Sequence, residues 1–160
     1  MNRRAFTLIE ASLATLVVGV VLVASINAVG ATAKQRAALH DQSVAIGIAE
    51  ARIAAIVALA YADPDTPDAP LGTDAGEVSM ADWDDVDDAH DPISIQPSSA
   101  RDWTWLTTVE WVELSAEGQP GSVSSTDTGL KRIQVSVKSG RKVLAMRWAY
   151  RSRGWDEVLP

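Results

Sequence analysis

From Ala5 to Ala33 the chain reads AFTLIEASLATLVVGVVLVASINAVGATA, an apolar run whose one charged side chain is Glu10. A helix rises about 1.5 Å per residue, so about 20 such residues cross the roughly 30 Å hydrocarbon core of a bilayer. Beyond Ala33 the pattern changes. Leu39, Ile46, Ala49, Ile53, Ile56 or Val57, and Ala60 recur at three- and four-residue steps, and Gln35, Arg36, Asp41, Gln42, Glu50 and Arg52 fall mostly elsewhere. No proline interrupts from Phe6 to Ala62. The pattern predicts one helix of about 55 residues, apolar all round in its first half and amphipathic in its second, about 80 Å long. Gly30, close to Asn27, is the position where a bend or local melting is expected.

The helical pattern stops at YADPDTPDAP, where Pro64, Pro67 and Pro70 alternate with Asp63, Asp65 and Asp68. From Arg101 the period becomes two. Trp103, Trp105, Thr107, Val109 and Trp111 share one face of a strand, against Thr104, Leu106, Thr108, Glu110 and Val112 on the other. The tryptophan face reads as core or subunit packing, the burial a small domain without disulfides needs. SAEGQPGSVSSTDTG has the composition of a loop. Residues 131–150, turning at Ser139-Gly140, read as a hairpin, and GWDEVLP as a short edge strand with Trp155 or Leu159 folding back. The expected fold is α+β: a long N-terminal helix whose amphipathic half covers one face of a small antiparallel sheet.

Charge narrows the function. The formal net charge is −7, and residues 54–100 hold acidic side chains with no Lys or Arg. An acidic body argues against nucleic acid and against anionic lipid as partners of the globular part. The chain contains 0 cysteines, which excludes disulfides and thiolate chemistry and leaves the redox compartment unread. Two histidines, His40 and His90, and no Gly-x-Ser-x-Gly give no triad, so an enzyme is not expected.

A carboxylate within an apolar span is costly and marks function, and it asks for a cationic partner. The residues RRAFTLIEA around Glu10 resemble the class III leader of type IV prepilins and of type II secretion pseudopilins. That resemblance implies a leader at residues 1–5, cleavage by a prepilin peptidase between Ala5 and Phe6, and methylation of the new amine on Phe6. It also implies that Glu10 accepts the Phe6 amine of a neighbouring subunit during assembly. The chain departs from the family at one place, with Ala5 where glycine is usual. The resemblance further implies residues 6–33 as the transmembrane and assembly half of the helix, 34–62 as its amphipathic half, 63–100 as an acidic variable region and 101–160 as the sheet. The expected location is the inner membrane, single-pass with the C-terminal part outside the cytoplasm, and then a pilus or pseudopilus. The expected partners are other pilins or pseudopilins, through the N-terminal helix, and the peptidase.

Within the acidic region, MADWDDVDDAHDP places Asp82, Asp84, Asp85, Asp87 and Asp88 around Trp83 and Val86. Its DDVDD stretch resembles minor pilins of the mannose-sensitive haemagglutinin type and related modification pilins. Closely spaced aspartates can supply the six to eight oxygens Ca²⁺ takes, but the spacing is not that of an EF-hand. The leading reading is a solvated acidic loop, with Trp83 and Val86 as anchors to the core and His90 at the surface. Two alternatives stay open. Ala31-Thr32-Ala33 resembles a signal-peptidase site, which would leave a secreted acidic binding domain. A metal-dependent hydrolase built on the aspartates is the other.

Overall fold

The computed structural model describes residues 8–64, 70–73, 82–90 and 103–156. The chain divides into two compact units, residues 1–41 and 42–160. In the first, the described residues form the apolar stretch of helix α1, which as a whole runs Leu8–Val57 without a break in its helical assignment. Gly30 lies inside it, so the local melting expected there is absent; a Cβ at Gly30 would meet nothing within 4 Å. The helix ends at Val57, some residues short of the expected Ala62, because Leu59, Ala60 and Tyr61 are recruited into other contacts. Ala60 forms a parallel bridge with Asp85.

In the second unit the rest of α1 lies against a four-stranded antiparallel sheet, giving the α+β arrangement expected from the sequence. Its strands are β1 (Trp103–Leu114), β2 (Pro120–Val123), β3 (Leu130–Ser139) and β4 (Lys142–Ser152), in the order β2-β1-β3-β4. Strands β3 and β4 meet through Gly140 and Arg141, with Gly140 at φ +57° and Ser139 paired with Lys142. A positive φ at the first of two turn residues and not at the second is the pattern that matches the right-handed twist of a hairpin. Strand β2 falls in the segment whose composition suggested loop. It is four residues long and exposed throughout, so it carries no alternation to read. Where GWDEVLP begins, the described residues form a 3-10 turn, Arg153–Trp155, with Trp155 49% exposed; residues 157–160, the rest of the expected edge strand with Leu159, lie outside the described residues.

Register places the inward residues in rows: Trp105–Val137–Ala145, Thr107–Val135–Arg147, Val109–Ile133–Ala149, and Trp111–Lys131–Arg151. Val109, Ile133, Val135 and Val137 are buried together with Ala45, Ala49 and Ile56 of α1 and Trp83, Val86 and Ala89 of the acidic segment. Trp83 and Val86 are thus the anchors expected of them. The helix stripe differs in three members, Ala45 being buried although it was not expected to be. Leu39 is exposed, and Arg52 is buried in line with Ala45, Ala49 and Ile56. The Arg52 guanidinium carbon stands 4.7 Å from the centre of the Trp83 ring and 5.9 Å from that of Trp105. A guanidinium is weakly hydrated and stacks on aromatic faces, which lets an arginine fill a core position where a lysine would not. Burial lowers the Arg52 pKa from its ordinary value.

Candidate assembly helix and buried charge network

Ala5 and Phe6, the expected cleavage and methylation residues, lie outside the described residues. Glu10 sits in the first turn of α1, where the helix dipole favours a carboxylate. The helix is long and apolar enough to cross a membrane, and none of its most apolar window is buried by the rest of the chain. Its hydroxyls turn back onto the helix. Ser12 Oγ donates to the Leu8 carbonyl at 2.9 Å, Thr15 Oγ1 to Ala11 at 2.7 Å, Ser25 Oγ to Val21 at 2.8 Å and Thr32 Oγ1 to Ala28 at 2.9 Å. Each polar side chain so satisfied can enter hydrocarbon without an orphaned donor. Gly19 leaves a shallow apolar groove bordered by Val20, Val23, Ala24 and Asn27.

The second arrangement lies at the end of the sheet where Lys131 and Arg151 are direct cross-strand neighbours, both on the inner face and both buried. Like charges side by side in low dielectric repel, so this row is stable only if anions meet it. The acidic segment and the C-terminal turn supply them. Lys131 Nζ donates to Asp87 Oδ1 and to the Tyr61 carbonyl. Arg151 Nη2 donates to Asp156 Oδ1, and also to the Leu59 carbonyl at 3.2 Å. The other oxygen of Asp156 accepts the Tyr61 backbone N–H at 2.8 Å. On the far side of Tyr61, its hydroxyl donates to Asp127 Oδ1 at 2.6 Å, and Arg153 Nη2 donates to Asp127 Oδ2 at 2.5 Å. Leu59 and Tyr61 are therefore held by groups from β3, β4 and the turn beyond, and Ala60 between them by the backbone of Asp84 and Val86.

The aspartates of the acidic segment are not a solvated loop. Asp85, Asp87 and Asp88 are buried, whereas Asp82 and Asp84 are exposed. Asp85 Oδ1 accepts the N–H groups of Asp87 at 2.7 Å and Asp88 at 3.2 Å, which starts the 3-10 turn Asp87–His90. Asp88 Oδ2 accepts the N–H groups of Asp84 at 3.1 Å and Asp85 at 3.2 Å. Aspartate suits such positions because its short side chain bonds to backbone two or three residues on. His90, expected at the surface, is half-buried, and its Nδ1 accepts the Val109 N–H at 3.1 Å. The turn thereby covers part of the β1 edge that the short β2 leaves open. Among the described residues, no group of three or more His, Asp or Glu side chains is placed to hold a metal ion.

Burial pushes the Asp85 carboxyl up, to about 7, with the charge of Asp87 adding to the effect and Lys131 opposing it. Burial likewise raises the Tyr61 hydroxyl, helped by its hydrogen bond to Asp127. At Asp127 burial acts upward, but hydrogen bonds from Tyr61, the Gly129 N–H and Arg153 outweigh it and hold the carboxyl below its usual range. The Asp85 shift has a testable sign. Between about pH 4 and pH 7 the folded chain holds a proton that the unfolded chain has released, so stability falls as pH rises through that window. Asp85→Asn keeps the oxygen that accepts the two N–H groups and removes the titration. Its unfolding free energy from urea titration is expected to be flat over this window and above wild type at pH 7.5, by about 1–3 kcal/mol. A wild-type midpoint that rises from pH 5 to 7 would contradict this assignment.

Of the residues singled out from the sequence, the structure brings Asp85, Asp87 and Asp88 together, with the Asp84 N–H bonded to Asp88, and leaves the Asp82 side chain exposed. Lys131, Arg151, Asp127 and Asp156 were not singled out, although each stands out in the sequence as a charge within or beside a strand. Comparison with protein-family models, with curated proteins and with solved structures gave no match.

Proposed function

We propose that this chain is a minor type IV pilin or type II secretion pseudopilin: a structural subunit inserted in the inner membrane, processed by prepilin peptidase and assembled into a filament. The observation that carries the reading is α1 itself. A single helix, Leu8–Val57, is apolar and uncovered over its first half, carries Glu10 in its first turn, and contributes its last turns to the core under the sheet. A chain that only needed an anchor has no use for a carboxylate there. A subunit that meets the N-terminal amine of its neighbour does, because two buried charges of opposite sign satisfy each other in hydrocarbon. The back-bonded hydroxyls and the Gly19 groove suit close approach of a second helix.

In this reading the charge network has a mechanical role. With no disulfide, it ties the end of the helix to the sheet, so that a pull on the helix is transmitted to the whole body. The chain performs no chemistry of its own. The test is the mass and N-terminal sequence of the protein purified from its own cells. A start at N-methylated Phe6 is expected. A start at Lys34 would make the apolar run a signal peptide and leave a secreted acidic domain, which ends the pilin reading.

A further inference from the structure

The sheet is divided by charge. Residues 103–130, which hold β1 and β2, contain Glu110, Glu113, Glu117 and Asp127 and no Lys or Arg. Residues 131–155, which hold β3 and β4, contain Lys131, Arg132, Lys138, Arg141, Lys142, Arg147, Arg151 and Arg153 and no Asp or Glu. Several of these are consumed internally. Lys131 and Arg151 are in the buried network, Arg132 pairs with Glu110 at 2.5 Å, Arg153 with Asp127 and Arg147 with Glu50 at 3.5 Å.

What remains is sorted to two corners. The β1–β2 turn carries Glu113 and Glu117, both exposed, beside Leu114, which is 58% exposed. The β3–β4 turn carries Lys138, Arg141 and Lys142, beside Val143, 46% exposed. Among the described residues neither Glu113, Glu117, Arg141 nor Lys142 has an ion-pair partner. Because β1 and β4 both run antiparallel to β3, and β4 and β2 are the two edges, these turns stand at diagonally opposite corners. Strands of this length separate them by about 30 Å or more, so they cannot meet within one chain.

We infer that the acidic β1–β2 corner of one copy docks on the basic β3–β4 corner of the next. Each corner offers one sign of charge with an apolar side chain at its edge, and each finds its complement on a second copy of the same chain. The charge match gives orientation and excludes like corners. The two patches differ, so the contact is heterologous; repeated, it builds an open chain of subunits rather than a closed pair. Pro120, at the start of β2, lacks the N–H that strand addition would use, and so the contact is through side chains and not an extension of the sheet. The inference does not require the pilin reading, and processing at Phe6 can fail or hold independently of it.

Full-length chain in detergent micelles, treated with a water-soluble carbodiimide, tests it. The reagent joins a lysine amine to a glutamate carboxyl with loss of water and inserts no spacer, so only touching pairs link. The expected result is a ladder of dimer, trimer and higher bands, with amide links mapped between Glu113 or Glu117 and Lys138 or Lys142. The ladder should fade at high salt. Arg141→Glu with Lys142→Glu should cut it at least tenfold, as should Glu113→Lys with Glu117→Lys. Mixing the two variants should restore a linked pair between them. A ladder that persists in both reversed variants would belong to the apolar helices and overturn the inference. So would dimers alone, or links that map elsewhere.

Discussion

Lys131→Met should destabilise the fold by about 3–5 kcal/mol, the usual cost of leaving one partner of a buried ion pair without the other. Asp87 would stay in place, because its N–H is bound to Asp85 and its neighbours Val86 and Ala89 are core residues. Its carboxylate would then face Tyr61 and Asp85 with no cation to meet it. The Tyr61 carbonyl would lose its donor at the same time. In thermal melts followed by circular dichroism the midpoint should fall by about 10 °C or more. The decisive control is the double variant Lys131→Met with Asp87→Leu. Removing both charges removes the desolvation cost together with the attraction, so most of the lost stability should return. If the single variant loses less than about 1 kcal/mol, the pair does not hold the acidic segment and another contact must.

The second large effect is on assembly. Glu10→Ala should insert and be processed like wild type, since an alanine in the span is easier to bury than a glutamate. Under the pilin reading proposed above, its incorporation into a filament with its partner subunits should fall by about tenfold or more, the factor that 1.4 kcal/mol commands. Comparing filament-bound and membrane fractions by immunoblot measures this. Equal incorporation of the variant would remove the role given to Glu10 and leave the helix as a plain anchor. Glu10→Asp is the informative companion: it keeps the charge but withdraws it by one methylene, so partial incorporation supports a direct contact with an amine.

Period made the long helix and the strands legible. An apolar run followed by three- and four-residue steps, then alternation from Trp103, specifies helix on sheet with little ambiguity. The rest was hidden for physical reasons that differ by residue. Strand β2 has four exposed residues, including Pro120 and Gly121, and depends on β1 for its existence. Arg52 reads as a polar-face residue, and its burial follows only from the two tryptophans that sandwich it, which come 31 and 53 positions later. Asp85, Asp87 and Asp88 read as solvated because nothing near them in sequence is cationic. Their counter-charge arrives from Lys131, 44 residues on. Burial of a charge is decided by its partner, and a partner that distant leaves no local signature.

The network also imposes an order of events. The Tyr61 carbonyl accepts from Lys131 and its N–H donates to Asp156, and the Leu59 carbonyl accepts from Arg151. Asp156 lies 95 positions after Tyr61. A ribosome makes the helix before these clasps. Until Arg151 and Asp156 have emerged, the helix can be threaded and inserted before their bonds fix its far end.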